Sequence, residues 1–203
     1  MEVYMSSNKE KILKITSGGV CLALSFILSQ VKLFEMPMGG SVTPASCLPV
    51  IIFGIAFGPV WGFIVAFLLS LLQLIGGYLL TPFQVFLDYT VGYTALGLLG
   101  FASLRAGDRE KIANPLIRFR RAGIIKPVLF TVAAYFVRWI GSVLSGVIFY
   151  AEYAKDAGYN SALIYAMVYN GSFLLADMGI CLAVLVVFHF VIPSGKEKEQ
   201  TAK

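Results

Sequence analysis

The chain has 203 residues, of which 58% are hydrophobic and only 13% charged, and its mean hydropathy is +0.82. A soluble globular domain carries about 25% charged residues, so the composition excludes an ordinary soluble protein and predicts a single membrane domain over 1–203. The net charge of +5 does not indicate a nucleic-acid partner, because the basic residues cluster in connections between apolar segments.

Six apolar segments follow one another along the chain. They cover roughly 12–31, 44–57, 59–76, 83–104, 123–150 and 162–192. A membrane-spanning helix needs about 20 apolar residues, so we predict an all-α integral membrane protein with six transmembrane helices. Gly58 and Pro59 separate the second and third segments and predict a tight turn, with one long helix kinked at Pro59 as the alternative. Residues 194–203 are polar, and we predict a disordered tail there.

The basic residues predict the orientation of the chain. Most of the 16 Lys and Arg residues fall in three regions: before the first segment, between the fourth and fifth, and after the last. With six spans, all three regions lie on one face, and the positive-inside rule makes that face cytoplasmic. Both termini are therefore predicted to be cytoplasmic. The basic connection over 105–126 can also contact anionic membrane lipid.

Several polar side chains interrupt the last three apolar segments. They are Gln84, Asp88, Tyr89, Arg138, Asn170 and Asp177. An ionisable group at membrane depth costs about 2.5–3.5 kcal/mol on insertion scales, so such groups usually face a protein interior or a water-filled cavity. We therefore predict a binding cavity inside a helical bundle.

The predicted depths place this cavity towards the outer face of the membrane. Asp88 lies about 8 Å below the outer edge, at 1.5 Å per helical residue. Arg138 and Ser142 share a face of the fifth segment because they are four residues apart. The other aromatic and amide groups near this level are Tyr78, Tyr150, Tyr165, Tyr169 and Asn170.

A carboxylate beside several tyrosine rings suits a small, partly aromatic, cationic ligand. The carboxylate supplies charge, and the ring faces supply stacking and cation–π attraction. Two structural alternatives stay open. The tyrosines can form an interfacial aromatic belt, and Arg138 can form an internal ion pair with Asp88 or with Asp177, whose depth it matches more closely.

Small residues on the first segment indicate a second kind of contact. Gly19 and Ala23 are spaced by four residues near the predicted cytoplasmic face. Such spacing lets two helices approach closely. It predicts either internal packing or docking of a partner membrane protein.

The sequence lacks the residue patterns that a metal site, a nucleotide-binding loop or a catalytic site would need. Cys21, Cys47 and Cys181 show no CxxC spacing, so no metal site is predicted. The chain contains no phosphate-binding loop of the P-loop type. His189, the single histidine, lies near the predicted cytoplasmic end of the last segment and is interpreted as interfacial rather than catalytic. We therefore expect no cofactor, no nucleic-acid partner and no enzymatic activity.

Six stretches carry a resemblance to a known family. They are Met36-Pro-Met-Gly-Gly-Ser-Val-Thr43, Leu48-Pro49, Pro82-Phe-Gln-Val-Phe-Leu-Asp-Tyr89, Leu96-Gly-Leu-Leu-Gly100, Ser145-Gly-Val-Ile-Phe-Tyr-Ala-Glu-Tyr153 and Ile164-Tyr-Ala-Met-Val-Tyr-Asn170. In their order and spacing, over roughly 12–191, the chain resembles the substrate-binding S-components of energy-coupling-factor (ECF) vitamin transporters, and most of all their thiamine-specific branch.

The resemblance implies a subunit of a prokaryotic plasma membrane that captures thiamine or a thiamine-like vitamin from outside. It also implies a complex with one transmembrane coupling protein, docked at Gly19 and Ala23, and two cytoplasmic ATPase subunits. The substrate-binding residues that we predict are Tyr78, Gln84, Asp88, Tyr89, Arg138, Ser142, Tyr150, Tyr165 and Asn170. Two histidines usual in the family are replaced by Thr81 and Ser142, so another vitamin or a thiamine precursor stays an alternative ligand.

Two other functional classes stay open from the residues alone. An intramembrane enzyme acting on lipid or prenyl substrates would normally show paired acidic motifs such as DDxxD, which this sequence lacks. A channel or secondary carrier would more often show internal repeats, and none is evident in the sequence.

Overall fold

The computed structural model describes residues 7–194, and this part of the chain is mostly helical. Helix α1 covers Ser7–Gln30, and a hairpin of strands β1 (Phe34–Glu35) and β2 (Ser41–Val42) follows it. The next helices are α2 (Leu48–Phe57), α3 (Pro59–Leu72) and α4 (Pro82–Ala102). Two short helices follow, α5 (Ala106–Glu110) and α6 (Pro115–Arg121). The last elements are α7 (Ile125–Phe149), α8 (Ala151–Asp156) and α9 (Ala162–Val191). Apart from Ser194, the predicted tail over 194–203 lies outside the described residues.

Each of the six predicted apolar segments lies mostly in a helix, although residues 44–47 and 73–76 form turns outside the helices. Four of these helices, α1, α4, α7 and α9, are long and apolar enough to cross a membrane. Helices α2 and α3 are apolar but have only 10 and 14 residues, fewer than the roughly 20 that a full span needs. The third helix ends at Leu72 rather than near residue 76, because the chain turns at Gly76, where φ is +78°.

A glycine turn separates α2 from α3. Gly58 has a φ of +89°, in the region that residues with a Cβ rarely adopt, and Pro59 begins the next helix. Beyond the turn the two helices pack closely, since a Cβ built on Gly62 would lie 3.2 Å from the Cα of Gly54. The predicted tight turn is confirmed, and the alternative of one kinked helix is wrong.

Helix α2 lies at the centre of the bundle, whereas α1 lies at its edge. Ile51, Phe53 and Ile55 of α2 are at most 1% exposed. The helix contacts α1, α3, α4 and α6. In contrast, only 17% of the most apolar stretch of α1 is buried within the chain. Most of the surface of α1 therefore faces outward.

Helix α4 changes its geometry along its length, which its apolar pattern did not predict. It is α-helical over Pro82–Val85, π-helical over Phe86–Val91 and 3₁₀-helical over Ala95–Ala102. π-Helical turns are rare and often occur at functional sites. This one contains Asp88 and Tyr89.

Candidate functional site

A cavity of about 260 Å³ lies between the β1–β2 hairpin, the end of α3, and helices α4, α7 and α9. Its volume is close to the lower end of the roughly 300–1,000 Å³ usual for small-molecule pockets, which favours a compact ligand. The structure brings together in its walls all nine residues predicted to bind substrate. They are Tyr78, Gln84, Asp88, Tyr89, Arg138, Ser142, Tyr150, Tyr165 and Asn170.

The π-helical turn of α4 places Asp88 in the cavity wall. The Oδ2 atom of Asp88 accepts hydrogen bonds from the side-chain N–H of Gln84 at 2.6 Å and from the hydroxyl of Ser145 at 2.7 Å. The same turn brings its Leu87 carbonyl close to α7, where a Cβ built on Gly141 would lie 2.9 Å from that oxygen. The carboxylate is therefore held in a defined position between α4 and α7.

Gln84 positions Asp88 and the connection that precedes α4. Its side-chain oxygen accepts a hydrogen bond from the Leu80 N–H at 3.1 Å, and its side-chain nitrogen also donates to the Tyr78 carbonyl at 3.3 Å. Thr81 begins the helix, and its hydroxyl oxygen accepts from the Gln84 N–H at 3.1 Å. Since Gln84 is only 2% exposed, it supports the site more than it presents a free surface to a ligand.

The structural alternative of an internal ion pair between Arg138 and Asp177 or Asp88 is wrong. Among residues 7–194, neither carboxylate forms a salt bridge with Arg138. The guanidinium instead donates to the Tyr93 hydroxyl at 2.9 Å, and its carbon lies 4.2 Å from the centre of the Tyr93 ring. Arg138 thus contributes to the cavity wall as a cation that stacks on an aromatic ring.

Asp177 is occupied by other donors, which explains the missing ion pair. One carboxylate oxygen accepts from the N–H and the hydroxyl of Thr43, and the other accepts from the hydroxyl of Tyr135 at 2.8 Å. Asp177 is 3% exposed. The similar membrane depth of Arg138 and Asp177 suggested an ion pair between them. The Asp177 carboxylate instead accepts from the Thr43 N–H, the Thr43 hydroxyl and the Tyr135 hydroxyl.

Tyrosine rings form much of the cavity wall. The rings of Tyr78 and Tyr150 have centres 6.2 Å apart, and Tyr89 stacks on Tyr93 at 6.4 Å. Tyr165 also lines the cavity. The tyrosines that the sequence singled out surround an interior space, so they are not simply an interfacial belt facing lipid.

Ser142 and Asn170 join α7 to α9 at the side of the cavity. The Asn170 side-chain nitrogen donates to the Ser142 carbonyl at 3.2 Å and to the Ala166 carbonyl at 2.9 Å. The helices approach closely there, because a Cβ built on Gly146 would lie 2.7 Å from the Cβ of Ala166. This contact fixes the separation of two walls of the cavity.

The β1–β2 hairpin forms a further wall, and the sequence analysis did not predict it. The hydroxyl of Tyr169 donates to the Pro37 carbonyl and lies 3.4 Å from the Gly40 N–H, which donates to it. Met38, Gly39 and Gly40 line the cavity. The Pro-Met-Gly-Gly run was a turn signal that could have indicated this hairpin.

Tyr93 and Gln73 are two more of the cavity residues that the sequence analysis missed. Tyr93 is four residues after Tyr89, so the spacing of the two tyrosines could have indicated a shared wall. Gln73 follows the last residue of α3, and an amide at that depth was itself a signal for a polar site.

Metal chemistry has no visible support in the described chain. Within residues 7–194, no three His, Cys, Asp or Glu side chains come together in a way that could hold a metal ion. His189 is 2% exposed and contacts Arg120 of α6. The side chain is buried near the end of α9, against the basic helix α6, and its predicted interfacial position stays a prediction.

Gly19 and Ala23 lie on the outward face of α1. A Cβ built on Gly19 would meet no atom of the described residues within 4 Å. Ile15 and Ile27 on the same helix are 66% and 61% exposed. The alternative of internal packing is therefore wrong for Gly19, and the small residue leaves a shallow apolar surface open to a neighbour in the membrane.

Comparison with known proteins agrees with this architecture. The family model described as "Thiamine transporter protein (Thia_YuaJ)" matches residues 15–196. The thiamine transporter ThiT of Bacillus subtilis is 26% identical over 193 residues, which are 92% of this chain and 95% of that protein. The ThiT of Lacticaseibacillus paracasei is 29% identical over 180 residues, covering 88% of this chain and 78% of that protein.

A solved structure has the same fold. ThiT from Listeria monocytogenes superposes with a TM-score of 0.68, covering 90% of this chain and 96% of that one, at 16% identity. At this identity the likeness concerns the fold alone.

Proposed function

The chain belongs to the thiamine transporter protein family, and on that premise we propose that it captures thiamine, or a closely related compound, in the cavity behind the β1–β2 hairpin. The family consists of transporters and not of enzymes. Its relatives come from bacteria, and the four long apolar helices make this chain a multi-pass protein of a prokaryotic plasma membrane.

The observation that carries the proposal is the position of the Asp88 carboxylate beside the tyrosine rings of the cavity. Thiamine joins a cationic thiazolium ring to an aminopyrimidine ring. The carboxylate compensates the positive charge, and the faces of Tyr78 and Tyr150 can stack on either ring. A neutral ligand would leave the carboxylate uncompensated in partly apolar surroundings.

The other predicted residues divide into two groups. Tyr78, Tyr89, Tyr150 and Tyr165 supply ring faces, whereas Gln84, Arg138, Ser142 and Asn170 supply or position polar contacts. No imidazole is needed in this arrangement: Thr81 caps α4, and Ser142 stands beside Asn170. Besides the Asp88 carboxylate and the tyrosine rings, the polar groups offered to the ligand are therefore hydroxyl, amide and guanidinium groups.

Six passes with both termini in the cytoplasm fit the positions of the charges and the cavity. Near the start of α1, Glu10 forms an ion pair at 2.8 Å with Arg118 of the basic helix α6. Ser29 and Gln30, at the other end of α1, line the cavity. The basic connection and the cavity thus lie at opposite ends of the bundle, and the positive-inside rule orients the cavity outward.

Transport needs partners under this proposal. The sequence has no nucleotide-binding loop, so energy would come from two cytoplasmic ATPase subunits through one transmembrane coupling protein, as in an ECF complex. The exposed face of α1 around Gly19 and Ala23 is the docking surface that we assign to the coupling protein.

Titration of the purified protein tests the proposed ligand. We expect isothermal titration calorimetry to report saturable binding of thiamine and none of riboflavin, pantothenate or biotin. Mass spectrometry of a compound that copurifies with the protein gives an independent answer. Tight binding of another vitamin without binding of thiamine would contradict the proposal.

Reconstitution tests the need for partners. Vesicles that contain only this protein should bind thiamine without accumulating it, whereas vesicles with a coupling protein and ATPases should accumulate it when ATP is supplied. Accumulation by the protein alone would favour a standalone carrier.

A further inference from the structure

The hydrogen bonds that Gln84 and Ser145 donate to the Asp88 carboxylate end on the same oxygen atom. The side-chain nitrogen of Gln84 and the hydroxyl of Ser145 both donate to Oδ2, at 2.6 and 2.7 Å. Neither bond uses Oδ1, although Asp88 lines the cavity and is only half-buried. An ionised carboxylate has about four lone-pair sites on its two oxygens, so Oδ1 keeps acceptor capacity for a bound molecule.

The two donors differ in their relation to the cavity. Gln84 lines the cavity together with Asp88 and lies one turn before it on α4. Ser145 lies on α7, is 1% exposed and does not line the cavity. Its hydroxyl therefore acts on a ligand only through Asp88, and it is the donor that ties the carboxylate to a different helix.

A close approach of α4 and α7 allows the short serine side chain to reach Asp88. A Cβ built on Gly141, one helical turn before Ser145, would lie 2.9 Å from the Leu87 carbonyl oxygen. The glycine thus lets the π-helical turn that contains Asp88 rest against α7. The hydroxyl oxygen of Ser145 is only one bond beyond its Cβ, so its hydrogen bond to Asp88 depends on this packing.

These donors fix the carboxylate without compensating its charge. The side chains of Ser145 and Gln84 are neutral. So is that of Ser142, a residue of the cavity wall whose hydroxyl lies near the same carboxylate. Arg138 lines the cavity too, but within the described part of the chain it forms no salt bridge with Asp88. A carboxylate that is held in place and has no counter-ion of its own gains most from a cationic ligand.

We propose that Ser145 is a positioning residue for recognition of the positive charge on the ligand. By holding Oδ2 of Asp88, it turns Oδ1 toward the cavity, where that oxygen faces the cationic ring of bound thiamine. This inference rests on the proposed function and deepens it, because it assigns selectivity for a cation to a residue outside the cavity wall. A carboxylate that is oriented in advance needs no rearrangement when the ligand binds, which favours affinity.

The variant Ser145→Ala removes the hydroxyl and leaves the hydrogen bond from Gln84 to Asp88 in place. We expect its affinity for thiamine, measured by isothermal titration calorimetry, to fall about five- to tenfold. Ser145→Cys keeps nearly the same shape but has a weaker donor, so it should lose less affinity. Thermal unfolding of the ligand-free variants shows that they are folded.

A neutral analogue separates the positioning of charge from a general effect on the cavity. In this analogue the positively charged thiazolium nitrogen of thiamine is replaced by carbon, so the ring keeps its shape and loses its charge. Ser145→Ala should lower the affinity for the analogue by less than about twofold, since the analogue has no charge for Asp88 to recognise. Equal losses for thiamine and the analogue would reduce Ser145 to a structural role and overturn the inference.

Ser70→Ala is the matched control. Ser70 of α3 is also 1% exposed, does not line the cavity, and donates its hydroxyl to the Phe67 carbonyl at 2.6 Å. The affinity of the Ser70→Ala protein for thiamine should stay within about twofold of the wild type. A loss as large as that of Ser145→Ala would mean that removing any buried hydroxyl weakens binding, and it would overturn the assignment of Ser145.

A double variant shows whether Ser145 acts through Asp88. Once Asp88→Asn has removed the charge, adding Ser145→Ala should lower the affinity for thiamine by no more than about twofold. Losses that multiply in the double variant would mean that Ser145 acts by another route and would contradict the inference. A folded Ser145→Ala protein that binds thiamine as tightly as the wild type would overturn this inference alone, whereas failure of the wild type to bind thiamine would overturn the proposed function as well.

Discussion

Thr43 and Asp177 tie the β1–β2 hairpin to the middle of α9. One carboxylate oxygen of Asp177 accepts hydrogen bonds from the N–H of Thr43 at 2.9 Å and from its hydroxyl at 2.8 Å. The two residues are 6% and 3% exposed. Because the hairpin is one wall of the cavity, this contact holds the wall against the helix on the other side.

Thr43→Val should loosen that wall. Valine keeps the shape of threonine but removes the hydroxyl donor, and a hydrogen bond to a charged group contributes about 1.5–3 kcal/mol. We expect bound thiamine to dissociate about three- to tenfold faster, with a smaller change in the association rate. The release of radiolabelled thiamine into an excess of unlabelled ligand measures the rate.

Thr16→Val provides the control for this variant. Thr16 is an exposed threonine on α1 and does not line the cavity. The same substitution there should leave the dissociation rate unchanged. A wild-type rate in Thr43→Val would show that the hairpin does not depend on this hydrogen bond.

Asp88→Asn should weaken the binding of thiamine at least tenfold, or about 1.4 kcal/mol. Asparagine can still accept from Gln84 and Ser145, so the wall of the cavity is kept while the negative charge is lost. Calorimetry on the purified variant measures the affinity.

The matched substitution for this test is Asp108→Asn. Asp108 is exposed on α5 and lies outside the cavity wall. The Asp108→Asn protein should bind thiamine with the affinity of the wild type. Equal affinities of the wild type and Asp88→Asn would reduce the Asp88 carboxylate to a structural role.

Gly19→Leu should abolish transport and leave binding intact. The leucine side chain would project into the open space beside Gly19 and block close approach of a partner helix. ATP-dependent uptake in vesicles with the full complex is compared with thiamine binding by the isolated subunit.

The chain offers a matched glycine elsewhere on its surface. Gly179 of α9 is also exposed, and a Cβ built on it would meet no described atom within 4 Å. Gly179→Leu should keep both binding and transport. Normal uptake by Gly19→Leu would contradict the assignment of this face of α1 as the docking surface.

The apolar segments and the polar residues within them were enough to predict the helices and much of the cavity wall. This worked because membrane depth penalises Asp88 and Arg138 unless they face an interior space. The Gly58–Pro59 turn was equally predictable, since only glycine tolerates its φ without strain.

Features that depend on contacts between distant segments were not predictable in the same way. The π-helical turn at Asp88 fits against α7 at Gly141, and the apolar pattern of α4 contains no trace of that contact. The β1–β2 hairpin has strands of only two residues, too short to show an alternating pattern. Its position comes from Tyr169 and Asp177, far along the chain.

Matching depth along two helices suggested Asp177 as an alternative partner of Arg138, and the structure shows that this alternative is wrong. Two residues can lie at the same depth and still point to different neighbours, and sequence spacing within one helix says nothing about rotation relative to another. Tyr135, one helical turn before Arg138, faces Asp177, whereas Arg138 faces Tyr93.

A buried pair of charges stabilises the end of the bundle opposite the cavity. Arg118 of α6 is fully buried, and its two terminal nitrogens each donate to one carboxylate oxygen of Glu10 at 2.8 Å. Its Nε–H donates to the Ile112 carbonyl at 2.6 Å. Since all three guanidinium nitrogens are hydrogen-bonded, the pair fixes the start of α1 against the basic connection.

Glu10→Gln should lower the free energy of unfolding by about 3–5 kcal/mol, because it leaves the Arg118 guanidinium buried without a counter-charge. The double variant Glu10→Leu/Arg118→Met should recover most of this loss, since a packed apolar pair needs no desolvation of charge.

Glu35→Gln, which removes an exposed partner of Lys32, is the control and should change the free energy of unfolding by less than about 1 kcal/mol. Thermal unfolding in detergent ranks the variants. A Glu10→Gln protein as stable as the wild type would mean that Arg118 finds another partner, and the anchoring role of this pair would be lost.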